Sequence, residues 1–81
     1  MQLGTRWSVG ATPPERLSED VVSAIREVES RIPATEAGAL RWTLTWLEGH
    51  PIAELDRIPS TREVFVVRED YDGSVAITVE D

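Results

Sequence analysis

The sequence contains no cysteine. This absence excludes disulfides, thiolate metal ligands and cysteine nucleophiles together. Lysine is also absent, so eight arginines face fifteen acidic residues and the formal net charge is −7. Because affinity for nucleic acid depends on neutralising phosphates with Lys and Arg, this charge argues against nucleic-acid binding. It suits a basic protein partner or, more simply, solubility.

Long apolar runs are missing as well. No stretch of the sequence approaches the ~20 apolar residues of a membrane span. The first residues lack the basic region and apolar run of a secretory signal. We therefore expect a cytoplasmic protein that does not associate with membranes.

The sequence has little that could hold a cofactor or carry out catalysis. The five glycines are scattered and none has the spacing of a phosphate-binding loop, so no nucleotide cofactor is expected. Residues 70–74 begin like a calcium loop, but no glutamate follows before Glu80. The only histidine, His50, stands in a turn beside Pro51, where solvent exposure explains it better than catalysis. We predict no cofactor, no metal and no enzymatic activity.

The first half of the chain predicts a strand followed by a helix. At 81 residues there is room for one core, so residues 1–81 are expected to form a single domain. Residues 2–9 are typical of a short strand. Residues 19–32 are predicted to be helical, with Ser18 as N-cap and Pro33 as the stop. The apolar positions of this helix recur at spacings of four, three and four: Val21, Ile25, Val28 and Ile32.

Residues 40–47 fit two structures. Large apolar residues alternate with polar ones, and the segment is rich in Trp and Thr, which favours a strand. A helical stripe is also present, with Gly49 as a C-terminal stop. Residues 52–58 are then the return strand of a hairpin or, alternatively, a short helix that begins at Pro51.

The C-terminal part predicts a hairpin. Residues 63–68 and 74–79 are β-rich segments joined by Asp70-Tyr71-Asp72-Gly73. Asp-Gly is a strong hairpin signal, because both central residues of the favoured two-residue turn need positive φ. The predicted fold class is therefore α+β, in the order β-α-β-β-β, with a further strand if residues 40–58 form a hairpin. One helix packs on one face of an antiparallel sheet.

The tryptophans are the most informative residues. In a strand over 40–47, Trp42 and Trp46 lie on the same face, and Trp7 joins them if the first strand is a neighbour. The simpler interpretation is a core face under the helix. The functional interpretation places at least one indole at a rim, where its N–H bonds a partner while the ring packs.

These features predict a small acidic interaction or accessory module without catalytic activity. Two alternatives remain, a small-ligand carrier with a Trp-lined pocket and an enzyme whose site spans a homodimer, with His50 facing Glu54 or Asp56 of a second chain.

Residues 63–68 form a continuous apolar run, which predicts either a strand covered on both faces or an edge that pairs with a second copy. Residues 63–81 contain six acidic residues and one arginine, and this acidic hairpin predicts a basic protein partner. The candidate partner-binding residues are Trp7, Arg41, Trp42, Trp46, His50 and Phe65.

Overall fold

The fold is an α+β arrangement, as the sequence predicts, with one helix on a five-stranded antiparallel sheet. A computed structural model describes residues 4–80. The elements in chain order are β1 (Thr5–Ser8), α1 (Glu19–Ser30), α2 (Ala34–Ala37), β2 (Arg41–Leu47), β3 (His50–Leu55), β4 (Val64–Glu69) and β5 (Val75–Glu80). The predicted first strand also included residues 2 and 3, which lie outside the described residues.

Each strand pairs with the next one in the sequence, in the order β1-β2-β3-β4-β5. All four pairings are antiparallel. The ambiguous segments 40–47 and 52–58 thus belong to the hairpin of β2 and β3, and the helical alternative is wrong for both. Strand β3 runs from His50, which the sequence placed in the turn, to Leu55, so residues 56–58 are not part of the return strand. Strand β2 forms because the alternating pattern places Trp42, Leu44 and Trp46 on one face, where two of the three are buried.

Helix α1 begins where the sequence predicts and ends slightly earlier. Ser18 is the N-cap, and its Oγ accepts a hydrogen bond of 3.3 Å from the Val21 N–H. The helix ends at Ser30 and not at residue 32. Pro33 is then the N-cap of the single-turn helix α2, which the sequence patterns did not predict.

The core lies between α1 and the sheet. Val21, Ile25 and Val28 of α1 are fully or almost fully buried. Trp42, with 0% exposure, is the largest of the fully buried side chains. Its indole N–H donates to Glu29 Oε2 at 3.0 Å, which satisfies the one polar atom of the ring. The core interpretation of Trp42 is therefore correct.

The segment between β1 and α1 packs on the same side of the sheet as α1. The Arg26 guanidinium donates to the Ala11 carbonyl oxygen at 3.3 Å, and the Gly10 N–H donates to Glu29 Oε2 at 3.1 Å. Further along, the Arg16 guanidinium lies 5.2 Å from the centre of the Trp46 ring. The helix and this segment together contact both ends of β2.

The two hairpin turns differ in length, and the predicted turn type for Asp72-Gly73 is found at Glu48-Gly49 instead. The β2–β3 turn is a two-residue turn in which both Glu48 (φ 52°) and Gly49 (φ 81°) are left-handed. The β4–β5 connection is a three-residue loop instead. Gly73 alone has positive φ there, and its N–H donates to the Asp70 carbonyl. The hairpin prediction for residues 63–79 was right, but the expectation of positive φ at both Asp72 and Gly73 was wrong.

Strand β4 is interior, which corrects one expectation about self-pairing. It is hydrogen-bonded to β3 on one side and to β5 on the other. Residues 63–68 therefore present no free edge to a second copy. The apolar run has the other predicted cause, since Phe65 and Val67 enter the core while Val64 is buried on the opposite face. Among residues 4–80, no helix is long and apolar enough to cross a bilayer.

Candidate partner-binding site at the hairpin ends

The β2–β3 and β4–β5 turns lie side by side at one end of the sheet. The Tyr71 hydroxyl, in the second turn, donates a hydrogen bond to Glu48 Oε2 in the first. The His50 and Tyr71 rings meet edge to face, with centroids 4.5 Å apart and an interplanar angle of 72°. These two contacts join turns that are more than twenty residues apart in sequence. We call this surface the hairpin-end site, formed by Leu47, Glu48, His50, Arg68, Asp70 and Tyr71.

The site includes a small cleft on the sheet face opposite α1. Its volume is about 60 Å³, and it is lined by Leu47, His50, Ile52, Arg68, Glu69, Asp70 and Tyr71. Pockets that enclose metabolites usually measure roughly 300–1,000 Å³. The cleft therefore has room for the tip of a side chain and not for a whole metabolite.

Two large apolar side chains are exposed around this cleft. Tyr71 is 76% exposed and Leu47 is 56% exposed, the highest values among the large hydrophobic residues of the described chain. Single exposed apolar residues are ordinary on protein surfaces, but two of them at one cleft form a patch. A patch of this kind is where a partner can bury apolar area.

Glu48 adopts a backbone conformation that glutamate disfavours. Its φ of 52° lies in the left-handed region, which costs a residue with a Cβ roughly 1–2 kcal/mol. Asn, Asp or Gly normally occupies this position of a two-residue turn. Backbone strain of this kind is concentrated at functional sites. Arg62, just before β4, also has a left-handed backbone (φ 66°), but Glu48 is the one whose carboxylate accepts the Tyr71 hydroxyl.

The charge around the patch is mainly negative. Glu48, Asp70 and Asp72 are exposed on the two turns, and Arg68 is the cation that lines the cleft. The hydrogen bond to the Glu48 carboxylate raises the pKa of Tyr71, because ionisation would place a phenolate beside a carboxylate. Tyr71 therefore presents a neutral ring and hydroxyl at neutral pH.

Asp72 shapes the second turn through its own hydrogen bonds. Its Oδ1 accepts from the Ser74 hydroxyl at 2.7 Å and from the Ser74 N–H at 3.0 Å. The side-chain bond, followed by the backbone bond, lowers the pKa of Asp72. The ionised carboxylate thus supports the turn that carries Tyr71, as aspartate commonly does in turns.

His50 is half-buried in the site. Its Nδ1 is shielded from solvent and has no hydrogen-bond partner among residues 4–80. The ring is held by its packing on Tyr71. Within the same part of the chain, no three His, Asp or Glu side chains are grouped so that they could hold a metal ion.

A second, wider cleft lies at the opposite end of the same sheet face. It has a volume of about 440 Å³ and is lined by Arg6, Thr43, Glu54, Leu55, Asp56, Arg57 and Val64. Arg6 and Asp56 form an exposed ion pair across it at 3.2 Å, an interaction of little energetic value at a surface. Its charges are mixed in sign, and its only large apolar side chains, Leu55 and Val64, are buried.

The six candidate residues from the sequence are not brought together. Only His50 belongs to the hairpin-end site. Trp42 and Phe65, which the sequence suggested as partner-binding residues, are buried in the core at 0% and 5% exposure. A partner therefore cannot reach them in this structure. Trp42 belongs to an alternating apolar pattern, which marks buried positions more often than binding positions. Phe65 belongs to a continuous apolar run on an interior strand and enters the core.

The other three candidates occupy different surfaces. Trp7 and Trp46 are half-buried on the α1 side of the sheet, where Trp7 stacks on Trp42 with centroids 6.3 Å apart. The Trp7 indole N–H is shielded and has no partner among the described residues. Arg41 is exposed at the start of β2, at the end of the sheet opposite His50. Binding by these residues stays a prediction.

Sequence reasoning missed Leu47 and Tyr71 as site residues. Leu47 precedes one turn and Tyr71 lies in the other, but their proximity depends on β3 pairing with β4, which brings Ile52 opposite Arg68. Local sequence patterns do not specify the order of the strands in the sheet. The chain matches no known family model, and comparisons with curated proteins and with solved structures found no significant match.

Proposed function

We propose that this protein is a non-catalytic interaction module whose hairpin-end site binds a basic segment of a partner protein. One observation carries the proposal. The two most exposed large apolar side chains, Leu47 and Tyr71, share a cleft beside three turn carboxylates. An apolar centre with a charged rim is the usual anatomy of a binding surface between proteins.

The chemistry of the surface defines the partner. Leu47 and the Tyr71 ring supply apolar area, and the cleft between them accepts one side-chain tip. Glu48, Asp70 and Asp72 supply negative charge close by. A partner segment with an apolar or aromatic residue flanked by arginines or lysines is complementary to both features.

The strain at Glu48 supports the same proposal. A turn selected only for stability would carry Asn or Gly at this position. Glutamate instead places a carboxylate next to the Tyr71 hydroxyl and orients the ring over the cleft. Loss of some stability in favour of an oriented surface is common at binding sites.

Neither cleft suits the Trp-lined pocket of a small-ligand carrier, because the hairpin-end cleft of about 60 Å³ is too small for a metabolite and the wider cleft of about 440 Å³ has no tryptophan in its lining. The Trp7 and Trp42 rings stack on each other, and the Trp46 ring lies against Arg16, so these rings contact protein. A cytoplasmic location is part of the same proposal.

The experiment is a capture comparison in lysate of the protein's own source. Wild type, Leu47→Ser and Tyr71→Ser are immobilised beside the control Val79→Ser, which removes another exposed apolar side chain, 46% exposed, from a different strand. A partner of the hairpin-end site is retained by wild type and by Val79→Ser and lost from the other two. Raising the salt from about 0.05 M to about 0.5 M should release it, because exposed charge pairs are screened. Capture that is identical for all four proteins would contradict the proposal.

A further inference from the structure

The last strand of the sheet, β5, is an edge that lacks the usual protection. Sheet edges are commonly guarded by lysine, proline, a bulge or inward-pointing charge. β5 has the sequence Val-Ala-Ile-Thr-Val-Glu, with Glu80 at its end as the only charged residue. It pairs with β4 without interruption from Val75 to Glu80, so it has no bulge. Val79 on this strand is 46% exposed.

The register of the hairpin shows which backbone groups of β5 face outward. The Asp70 N–H donates to the Ser74 carbonyl at 2.8 Å, so these two residues are a hydrogen-bonded pair. Such pairs alternate with non-bonded ones along an antiparallel ladder. It follows that Val75, Ile77 and Val79 direct their N–H and C=O groups away from β4. These three residues are placed symmetrically about Ile77.

Helix α1 lies close enough to the β5 edge to contact the α1 helix of a second copy, if that copy pairs with β5. It packs over β4 and β5, and Glu29 marks the side of the helix that faces β2. Ala24 is five residues earlier, roughly 140° around the helix, and so faces the β5 edge. If two β5 strands pair at the usual spacing of about 4.8 Å, the two α1 helices lie about 10 Å apart. That is the normal packing distance of helices with small residues between them.

We propose that the chain forms a homodimer in which β5 pairs antiparallel with β5 of a second copy, centred on Ile77. In this register Val75 is opposite Val79 of the second copy, so all outward backbone groups of the three residues are paired. Glu80 is opposite Ser74, so no two carboxylates face each other along the paired strands. The arrangement is self-complementary, as a two-fold interface requires.

The opposite edge, β1, is less suited to this role. It has only four residues, and Arg6 is a charged residue within it. The Val9 N–H donates to the Leu40 carbonyl at 3.1 Å, so by the same alternation Arg6 and Ser8 are the outward residues of β1. The Arg6 side chain is already paired with Asp56.

The test is sedimentation over a wide concentration range at about 0.5 M salt, where the repulsion between two chains of net charge −7 is screened. Val79→Pro removes only an outward N–H and so spares the bonds to β4. Because the loss occurs once in each copy, we expect it to weaken the dimer about tenfold or more. Val79→Thr keeps the N–H and the branched side chain and should dimerise like wild type. Ala24→Arg should weaken the dimer by enlarging a side chain between the two helices, with the sequence of β5 unchanged. If Val79→Pro fails to fold, Ala24→Arg is the variant that tests the proposed dimer.

A wild-type protein that is monomeric throughout would overturn the proposal, as would a dimer that tolerates both Val79→Pro and Ala24→Arg. Salt separates this contact from the hairpin-end site. The dimer strengthens as salt rises, because like-charged chains are screened, whereas binding of a basic partner weakens. Failure of one proposal therefore leaves the other intact.

Discussion

Replacement of Glu48 by asparagine is expected to make the protein more stable and a weaker binder. Glu48 has φ of 52° in a two-residue turn, a conformation that costs glutamate roughly 1–2 kcal/mol and asparagine considerably less. The lost bond to Tyr71 lies in solvent and offsets little of this gain. We expect the free energy of unfolding to rise by about 0.5–1 kcal/mol. For a domain of this size, that raises Tm by about 2–8 °C.

The matched control is Glu48→Gln, which keeps the left-handed backbone cost and an acceptor for the Tyr71 hydroxyl while removing the charge. Thermal unfolding followed by circular dichroism compares the three proteins. Wild type and Glu48→Gln should unfold at nearly the same temperature, and Glu48→Asn should unfold at a higher one. An asparagine variant that is no more stable than the glutamine variant would refute the role of backbone strain. Both variants should bind a basic partner more weakly than wild type, because each lacks the carboxylate.

Further predictions concern the core, the helix cap and the two turn residues with altered pKa. Trp42→Ala should lower the free energy of unfolding by about 3–5 kcal/mol in urea titrations, because the ring is fully buried, and a loss below about 1.5 kcal/mol would mean that it is not central to the core. Ser18→Ala should cost about 1 kcal/mol through loss of the N-cap, measured in the same way, and an unchanged unfolding midpoint would contradict that role. Tyr71 should ionise at higher pH in wild type than in Glu48→Ala, as followed by ultraviolet absorbance. Equal titration curves for the two proteins would argue against the hydrogen bond. Because the pKa of Tyr71 is raised in the folded protein, the stabilisation from this hydrogen bond is present below the ordinary tyrosine pKa. It disappears as pH rises through the pKa of the folded protein. The pKa of Asp72 is lowered, so its contribution is present at neutral pH and disappears as pH falls through the folded value, and Ser74→Ala should reduce this acid sensitivity.

Most of the fold follows from local patterns in the sequence. The helix over residues 19–30 follows from its apolar spacing and its serine cap, and β2 follows from the alternation around Trp42. Patterns of this kind are readable because each element buries one face. The short helix α2 has no buried residue and therefore leaves no apolar signal in the sequence.

The candidate site was much less predictable. The exposed residues Leu47 and Tyr71 come together only when two hairpin turns meet, and that depends on the order of strands in the sheet. Turn chemistry was misleading as well. Asp72-Gly73 has the sequence of a two-residue turn, but the pairing of Asp70 with Ser74 leaves three residues in the loop. Glu48-Gly49 forms the two-residue turn despite an unfavourable first residue.

The most direct test of the proposed function is to map the binding surface by NMR. Amide chemical shifts would be recorded while a basic segment of the captured partner is added, with the same peptide carrying Glu in place of each Arg and Lys as control. The hairpin-end site predicts that shifts in the described chain cluster on residues 47–50 and 68–73, and that the charge-reversed peptide produces none. Shifts that cluster elsewhere, at the second cleft around Arg6 and Glu54 for example, would contradict the assignment of this site.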